Sequence, residues 1–335
     1  MDDLTAERSA LATPATALLQ GAAMDAPDLL VLKAMERWLE QGRKVWLATV
    51  LNTYGSAPRP VGSMAALNDQ GGVVGAVSGG CVEDDLTDWL LRDASACTAG
   101  QALTYGLNAE ERARLRLPCN GQLRVWLEPV DGSLAQALLA RVRTGQLAKR
   151  VVDLATGRWS VSHADAGMRS GMVGTEVFQL VLGPSYRLVL IGASEVSRYL
   201  APIATTLGFR VDVIDPRSEY LSTWPHQGCR LWSGMPDDVL AVAPPDERTA
   251  IVALSHDPKI DDLALMEALK GPALYVGAMG SHRTTAARKE RLVLFDVTEE
   301  EVGRLRGPVG LDIRARTPPE IAISIAADLV RVMRA

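Results

Sequence analysis

The chain has few of the residues that most often build metal sites and general bases. It contains four histidines and four cysteines in 335 residues, and no two cysteines have the CxxC spacing of a zinc site. Metalloprotease, Walker A and nucleophile-elbow motifs are absent from the sequence. The sequence therefore contains no motif that by itself carries a catalytic reaction, and its scattered cysteines are typical of a reducing compartment.

Long apolar runs and dense basic runs are also missing. No stretch approaches the roughly 20 apolar residues that cross a bilayer, and three acidic residues precede the first Arg, unlike in a secretory signal. The net charge is -5, and no run of Lys or Arg is dense enough to follow a phosphate backbone. We therefore expect a cytoplasmic protein without a membrane anchor, with neither nucleic acid nor an anionic membrane as a partner.

Length and composition predict two folded domains. Hydrophobic residues make up 47% of the chain and charged residues 22%, which is ordinary for a globular protein. A chain of 335 residues exceeds the size at which one core keeps growing. Residues 1–27 are rich in Ala and Thr and lack a sustained apolar face, so we expect a disordered tail there. The two domains are predicted at residues 28–183 and 184–335.

The first predicted domain is mixed α/β. Apolar residues at helical spacing predict a helix from Asp28, as N-cap, to Gly42. Short β-rich runs follow, separated by Gly and Pro, and a second helix begins directly after the SGG sequence at residues 78–80. Further β-rich runs flank a helix at about residues 133–144. The order of these strands cannot be assigned from the pattern.

The second predicted domain has a more regular pattern. The runs RLVLIG, RVDVID, TAIVALS and ALYVGA are short and apolar, and each is followed by a polar loop and a helix-compatible segment. Buried parallel strands with crossover helices produce this pattern. The fold class is therefore α/β, with an N-terminal mixed α/β domain and a C-terminal Rossmann-like domain that has a parallel sheet.

The first turn of that Rossmann-like domain departs from the dinucleotide-binding fingerprint. Gly192 is present, but Ser194 and Ser197 stand where the second and third glycines are expected. Asp215 ends the next strand, where an acid can meet a ribose hydroxyl. We expect the fold to be retained and dinucleotide binding to be weak, so that the turn serves as a scaffold.

Two other loops are predicted at the same carboxyl edge of the sheet. His256 follows the third strand and is a candidate ligand contact, with an ordinary turn residue as the alternative. After the fourth strand, Gly277 and Gly280 can direct N–H groups at an anion, Ser281 can cap a helix and Arg283 adds charge. The alternative is an ordinary strand-to-helix turn.

The densest group of glycines and prolines lies in the first half. Arg59 offers planar donors to a phosphate or carboxylate, and residues 78–81 place N–H groups and the Cys81 thiol at a helix N-terminus. Cys119 lies in a loop sequence, where a thiol can stay accessible. The alternative makes Cys81 a small buried hydrophobe and residues 83–85 acids that complement the helix dipole.

These motifs resemble the XdhC/CoxI family, the accessory factors of xanthine dehydrogenase and related molybdenum hydroxylases. The resemblance rests on TYGSAPRPVGSM, VSGGCVEDDL and LPCNGQL in the first half. It continues through SHDPKIDDLAL, YVGAMGSHRTTAARKERL and GPVGLDIRARTPPEIAISIAADL, from about residue 30 to the C-terminus.

The resemblance implies a cytoplasmic protein that carries molybdenum cofactor as cargo. Such a protein protects the cofactor while a cysteine desulfurase installs its sulfido ligand, and passes it to the apo-hydroxylase. No catalytic residue is implied, and a homodimer is compatible with the sequence. Cys119 is the candidate contact to molybdenum. The predicted cofactor-binding residues are Ser56, Arg59, Ser78, Gly79, Gly80, Cys81, Cys119, Gly192, Asp215, His256, Gly277, Gly280, Ser281 and Arg283.

The chain departs from the family pattern at a few positions. Ser194 and Glu195 stand where the family usually has a glycine and a histidine, and Arg314 stands where a glycine is common. An acid at position 195 repels a pyrophosphate, so we do not expect NAD(P) as a cofactor. Two alternatives stay open: an NAD(P)-dependent oxidoreductase using the second domain, and an enzyme that modifies the molybdopterin phosphate.

Overall fold

The structure is a computed structural model, and it describes residues 26–54, 59–93, 95, 97–108, 122–143, 146–165, 167–226 and 228–334. Two predicted site residues, Ser56 and Cys119, lie outside these ranges, as does most of the predicted tail. The chain forms two compact units, and the division falls between Pro184 and Ser185. No helix of the described residues is long and apolar enough to cross a membrane.

The N-terminal unit combines three helices with two antiparallel sheets in its described part. Its elements are α1 (Pro27–Glu40), β1 (Val45–Tyr54), β2 (Met64–Asn68), β3 (Val73–Gly75), α2 (Cys81–Arg92), β4 (Gln101–Tyr105), β5 (Gln122–Pro129), α3 (Gly132–Val142), β6 (Ala148–Asp153), β7 (Trp159–His163), β8 (Gly171–Val173) and β9 (Val177–Leu182). One sheet has the order β3-β2-β1-β5-β4 and the other β7-β6-β9-β8. Every neighbouring pair in both sheets is antiparallel.

The three central strands of the five-stranded sheet, β2, β1 and β5, are buried on both faces. Successive side chains of a strand point to opposite sides, so each of these strands contributes to two cores. On β5, Trp126 joins the core that contains α1, α3 and the four-stranded sheet. Its neighbours Val125 and Leu127 join the core formed with α2. The first helix begins at Pro27, and Ala26 rather than the predicted Asp28 is its N-cap.

The C-terminal unit is a doubly wound parallel sheet. Its elements are β10 (Tyr186–Ile191), α4 (Glu195–Thr206), β11 (Phe209–Ile214), α5 (Ser218–Ser222), β12 (Arg230–Trp232), α6 (Pro236–Val242), β13 (Thr249–Ala253), α7 (Pro258–Lys270), β14 (Tyr275–Ala278), α8 (His282–Leu294), α9 (Glu299–Gly303), β15 (Leu305–Arg306) and α10 (Pro318–Met333). The strand order is β12-β11-β10-β13-β14-β15, and all pairs are parallel. This is the Rossmann order, with the switch point between β10 and β13.

Helices cover both faces of this sheet and leave its carboxyl edge to the loops. One core contains α4 and α10, and the other contains α6, α7 and α8. The predicted Rossmann-like architecture is confirmed, with the four apolar runs forming β10, β11, β13 and β14. The loops that follow these strands lie at one edge, where ligands of such sheets bind.

Candidate functional site

The described strand ends that lead into the three N-terminal motifs share one end of the five-stranded sheet. Tyr54, the last residue of β1, pairs with Gln122, the first residue of β5. The first residues of β2 lie beside the last residue of β3, where Ala65 pairs with Gly75. At this one end of the sheet, the chain therefore leaves β1 for the SAPRP motif and β3 for the SGGC motif, and it enters β5 from the LPCNGQL motif.

The glycine-rich loop between β3 and α2 is closed by an acid of its own helix. Val77 N–H and Ser78 N–H donate to Oε1 of Glu83 at 2.6 and 2.9 Å, and Gly80 N–H donates to Oε2 at 3.0 Å. The Ser78 hydroxyl donates to the same carboxylate. Glu83 is only 4% exposed. The carboxylate thus fills the position at which the loop would hold an external anion.

This contact corrects the expectation that Ser78, Gly79 and Gly80 direct their N–H groups at a ligand. Burial alone would raise the pKa of Glu83, but hydrogen bonds from Ser78 and from backbone N–H groups lower that pKa below its usual value. The carboxylate is therefore ionised at neutral pH, and the N–H groups are already satisfied. Glu83 does more than complement the helix dipole, because it fixes the loop conformation.

The remaining described residues of this motif are glycines, a thiol and a cation. Gly79 and Gly80 have φ angles of 108° and 130°, and a Cβ on either would meet no atom within 4 Å. Their role is conformational freedom rather than close packing. Cys81 is the half-buried first residue of α2, and Arg59 is exposed and forms no ion pair within the described chain. Arg59 is thus available to an anion that the loop N–H groups cannot take.

In the C-terminal unit, the turn after β10 is closed in a similar way. Gly192 has φ 96°, and a Cβ on it would lie 2.5 Å from the Cα of Ser255, so no side chain fits there. Ser194 caps α4, and the buried Ser197 hydroxyl donates to Gly192 O at 2.6 Å. The serines that replace the expected glycines therefore tie the turn to its own helix.

Asp215 is committed to structure rather than to a ribose. Its carboxylate accepts Ala193 N–H at 2.8 Å and the Nε and Nη2 groups of Arg217, each at 2.8 Å. Asp215 is 0% exposed, and burial would raise its pKa, but the Arg217 and Ala193 contacts lower it below the usual value. The expectation that Asp215 meets a ribose hydroxyl is corrected, since its oxygens and one turn N–H already pair with each other.

A buried ion network fixes the loops after β13 and β14. Ser255 donates through both N–H and Oγ to Asp261, at 3.1 and 2.7 Å. Arg288 of α8 lies 3.1 Å from Asp261, 3.0 Å from Asp262 and 3.0 Å from the carbonyl oxygen of Met279. Arg288 and Asp261 are 4% and 1% exposed. One guanidinium therefore joins two edge loops and two helices.

The loop after β14 is open by comparison. Gly277 is a packing residue, because a Cβ there would lie 2.5 Å from Val309, so the expectation that it faces an anion is corrected. Gly280 has φ 152°, and Ser281 caps α8 by accepting Thr284 N–H at 3.1 Å. Ser281 and Arg283 are exposed, and in the described chain Arg283 forms no ion pair. This loop presents cationic and polar groups that no internal acid neutralises.

Two non-glycine residues with positive φ lie at the same edge. Three non-glycine residues of the described chain have a positive φ: His256 at 64°, Asp296 at 60° and Arg314 at 59°. Asp296 lies just past the C-terminal end of α8, whereas His256 follows β13 and Arg314 follows β15. Such a conformation costs on the order of 1 kcal/mol or more for a residue with a Cβ. The glycine that is common in the family at position 314 fits this backbone without that cost.

Apart from Cys81, the described residues offer little for a metal site or a reactive thiol. No group of three or more His, Cys, Asp or Glu side chains there could hold a metal ion. Cys81, Cys97 and Cys229 are thiols rather than disulfides. Burial raises the pKa of Cys97, and it raises the pKa of Cys229 to about 12. Both are buried packing residues, which leaves Cys81 as the described cysteine within a motif.

Two protein-family models match the chain, one in each unit. A model described as the XdhC and CoxI family matches residues 38–106. A model described as the XdhC Rossmann domain matches residues 188–329. The chain belongs to the XdhC and CoxI family. The resemblance predicted from the motifs is therefore confirmed, and its Rossmann-type part falls on the parallel sheet.

Relatives match this family member over most of its length. The molybdenum cofactor insertion chaperone PaoD of Escherichia coli is 26% identical over 325 residues, which cover 90% of this chain and 87% of PaoD. A probable xanthine dehydrogenase subunit of Bacillus subtilis is 24% identical, covering 90% and 96%. A crystal structure described as a xanthine dehydrogenase from Bacillus halodurans has a TM-score of 0.72 at 25% identity, covering 90% and 95%.

Sequence reasoning named Glu83 and Asp215 but missed that they pair with their own loops, and it did not identify Asp261 and Arg288. An acid three residues after Gly80 is the spacing of a capping box, and that signal could have indicated that Glu83 folds back. Asp215 is followed closely by Arg217, a spacing that favours a local pair. No local signal joins Asp261 to Arg288, because they are 27 residues apart and meet only through tertiary packing.

Proposed function

We propose that this chain is an accessory protein that binds molybdenum cofactor as cargo, supports its sulfuration and delivers it to an apo molybdenum hydroxylase of the xanthine dehydrogenase type. The observation that carries the proposal is the match to PaoD, a molybdenum cofactor insertion chaperone, over 90% of this chain and 87% of PaoD. Both units are included in that match, so the likeness is not confined to a common Rossmann fold.

The primary cargo site is the end of the N-terminal sheet that leads into the three motifs. Arg59 is the exposed cation there, and Cys81 is the half-buried thiol. Guanidinium groups suit phosphate, and soft sulfur donors suit a molybdenum centre that carries sulfido groups. Cys119 is included in the proposed cargo site as a molybdenum contact because of its LPCNGQL sequence motif. Glu83 holds the loop before Cys81, and the loop N–H groups take no part in cargo binding.

The partners follow from the role. A carrier of this kind meets a cysteine desulfurase, which supplies the sulfur, and then the apo-hydroxylase, which receives the cofactor. Neither encounter requires turnover by the chain itself. The turn after β10 agrees with this, because Ala193 N–H and Asp215 are paired with each other and not directed at a nicotinamide dinucleotide.

The experiment is the maturation of the client enzyme with and without this chain. The client hydroxylase is purified from a strain that lacks the chain and from its parent, and its yield, melting temperature, pterin content and activity are compared. We expect equal amounts of folded client, with little pterin and low activity in the deletion strain. Unchanged client activity in the deletion strain would contradict the proposal.

Complementation separates cargo binding from folding of the carrier. The Arg59→Gln variant removes an exposed cation of the motif, and the Arg158→Gln variant removes an exposed cation from the β6–β7 turn. We expect Arg158→Gln to restore client activity and Arg59→Gln to restore much less. Equal restoration by both would exclude Arg59 from the cargo site.

A further inference from the structure

Three adjacent strands of the C-terminal sheet lead into loops that carry unneutralised cations or donors. His256 follows β13, Arg283 lies in the first turn of α8 after β14, and Arg314 follows β15. These strands are neighbours in the order β13-β14-β15 and run parallel, so their loops leave the same edge. We call these three residues the edge cluster.

The position of Arg314 follows from the helix after it. Tyr275, at the start of β14, donates to Asp328 of α10 at 2.8 Å. Ser324, one turn earlier in that helix, donates to Leu311 O at 2.6 Å. The helix α10 therefore runs from the carboxyl edge of the sheet towards the amino edge. Its N-terminal end and the preceding Arg314 lie at the carboxyl edge.

The edge cluster differs from three arginines of this unit that are committed to internal partners. Arg217 and Arg288 pair with buried acids, and Arg304 donates to three carbonyl oxygens. In the described chain, the side chains of the edge cluster form no hydrogen bond or ion pair, and all three residues are exposed. Their charge and donors are therefore directed to solvent.

Two members of the edge cluster are held in a conformation that disfavours them. His256 and Arg314 have φ angles of 64° and 59°. A backbone strain of this kind persists where the surroundings fix it, and it concentrates at ligand clamps. Glycine would relieve the strain at position 314, so in this chain Arg314 stands against the local backbone preference.

We infer that the edge cluster is a clamp for a phosphate group, with Arg314 as a specificity-determining contact. Guanidinium groups bind phosphate through paired N–H donors, and a histidine ring supplies at least one more donor. The phosphate belongs to a molybdopterin or to a nucleotide. The inference deepens the proposed function, because the proposed cargo carries a phosphate, but phosphate binding can be measured without any cofactor.

The test uses the full chain with inorganic pyrophosphate as the probe and glycine variants of the strained residues. We expect Arg314→Gly and His256→Gly to keep or raise the melting temperature, because glycine accepts a positive φ. We expect each to weaken pyrophosphate binding at least about fivefold by calorimetry, because a charge-assisted hydrogen bond is lost. Comparing AMP with inorganic phosphate then distinguishes the two sources, because a nucleotide clamp binds AMP more tightly than inorganic phosphate and a molybdopterin clamp does not.

Two controls separate this effect from strain and from net charge. Asp296→Gly relieves the third positive φ at the other end of α8, and Arg158→Gln removes one exposed cation from the N-terminal unit. Both are expected to keep the wild-type affinity for pyrophosphate within about twofold, since neither residue is at the edge.

The inference is overturned if the wild-type chain binds pyrophosphate with a dissociation constant weaker than about 1 mM, which corresponds to a binding free energy of about -4 kcal/mol. It is overturned equally if Arg314→Gly binds as the wild type does, or if the two controls weaken binding as much as Arg314→Gly. Pterin content is measured separately on the same preparations. Phosphate binding without pterin would contradict the proposed function and leave the clamp intact.

Discussion

Two kinds of glycine-rich loop occur in this molecule, and they differ in what meets their donors. The Val77–Gly80 loop and the turn at Gly192 are closed by Glu83 and Asp215, which are buried acids of the same unit. The loop from Gly280 to Arg283 has no such acid, and its polar groups face solvent. A glycine-rich loop before a helix is therefore an anion site only when the chain does not supply the anion itself.

The largest effect should come from the residue that supports the open loop. Arg288→Ala leaves Asp261 buried without its counter-charge and the carbonyl oxygen of Met279 without its donor. Breaking a buried pair from one side costs about 3–5 kcal/mol of unfolding free energy. Urea unfolding measures this cost. Arg283→Ala changes an exposed residue of the same helix, so its unfolding free energy should stay within about 0.5 kcal/mol of the wild type. Equal losses of unfolding free energy in the two variants would contradict the role of Arg288 as the support of this loop.

The closed loop should respond strongly to loss of its internal acid. Glu83→Ala leaves the buried N–H groups of Val77 and Ser78 without an acceptor, and each such group costs about 1–3 kcal/mol. We expect the unfolding free energy to fall by about 3 kcal/mol in total. Asp84→Ala removes an exposed acid from the same turn and should change it by less than about 0.5 kcal/mol. A loss in Asp84→Ala as large as in Glu83→Ala would show that the helix dipole dominates.

The closed loop should also weaken in acid. The folded-state pKa of Glu83 is lowered from its ordinary value of 4.5. Its stabilising contribution is therefore complete above pH 4.5 and is lost as the pH falls through the lower folded-state value. The melting-temperature difference between the wild type and Glu83→Gln should narrow as the pH falls below 4.5. A difference that stays constant to low pH would assign the effect to shape alone.

The thiols should separate cargo binding from packing. Cys119→Ser is expected to keep a melting temperature near that of the wild type and to lose most bound cofactor, because the sequence around Cys119 predicts an accessible loop thiol. Cys81→Ser changes a half-buried helix residue and should lose some of both. Melting temperature and pterin content are measured side by side. Full cofactor content in Cys119→Ser would exclude Cys119 as a cofactor contact and leave Arg59 as the cargo ligand.

The smallest effect is expected for a nicotinamide dinucleotide. The turn at Gly192 has its Ala193 N–H paired with Asp215, and Glu195 adds a negative charge to the first turn of α4. Both features oppose a pyrophosphate at this helix. Calorimetry with NADH should give only weak binding. A dissociation constant in the low micromolar range would show that the turn opens, and it would favour the oxidoreductase alternative.

The sequence predicts the C-terminal architecture well, because buried parallel strands are continuous apolar runs that need no partner to be recognised. The strands β12 and β15 escape prediction, since three and two residues are too short for a pattern. The order of the antiparallel strands also cannot be predicted from the sequence, because a pairing such as that of β1 with β5 joins residues about 75 positions apart, for example Val50 with Val125.

The candidate sites show the same limit at the level of single residues. Periodicity and glycine spacing locate Gly80, Gly192 and Gly280 at turns before helices. They do not reveal whether a carboxylate returns to the turn, because that depends on side-chain packing. Glu83 and Asp215 therefore changed the interpretation of two loops, whereas Arg283 lies exposed in the first turn of α8, the turn for which the sequence predicts its charge.

The most direct test of the account is the pterin content of the wild-type chain purified without oxygen. The denatured protein is oxidised, and the fluorescent pterin released is measured per mole of chain, with Arg59→Gln and Arg158→Gln beside it. The account predicts pterin in the wild type and in Arg158→Gln, and much less in Arg59→Gln. Repeated absence of pterin from the wild type would contradict the claim that this chain carries molybdenum cofactor.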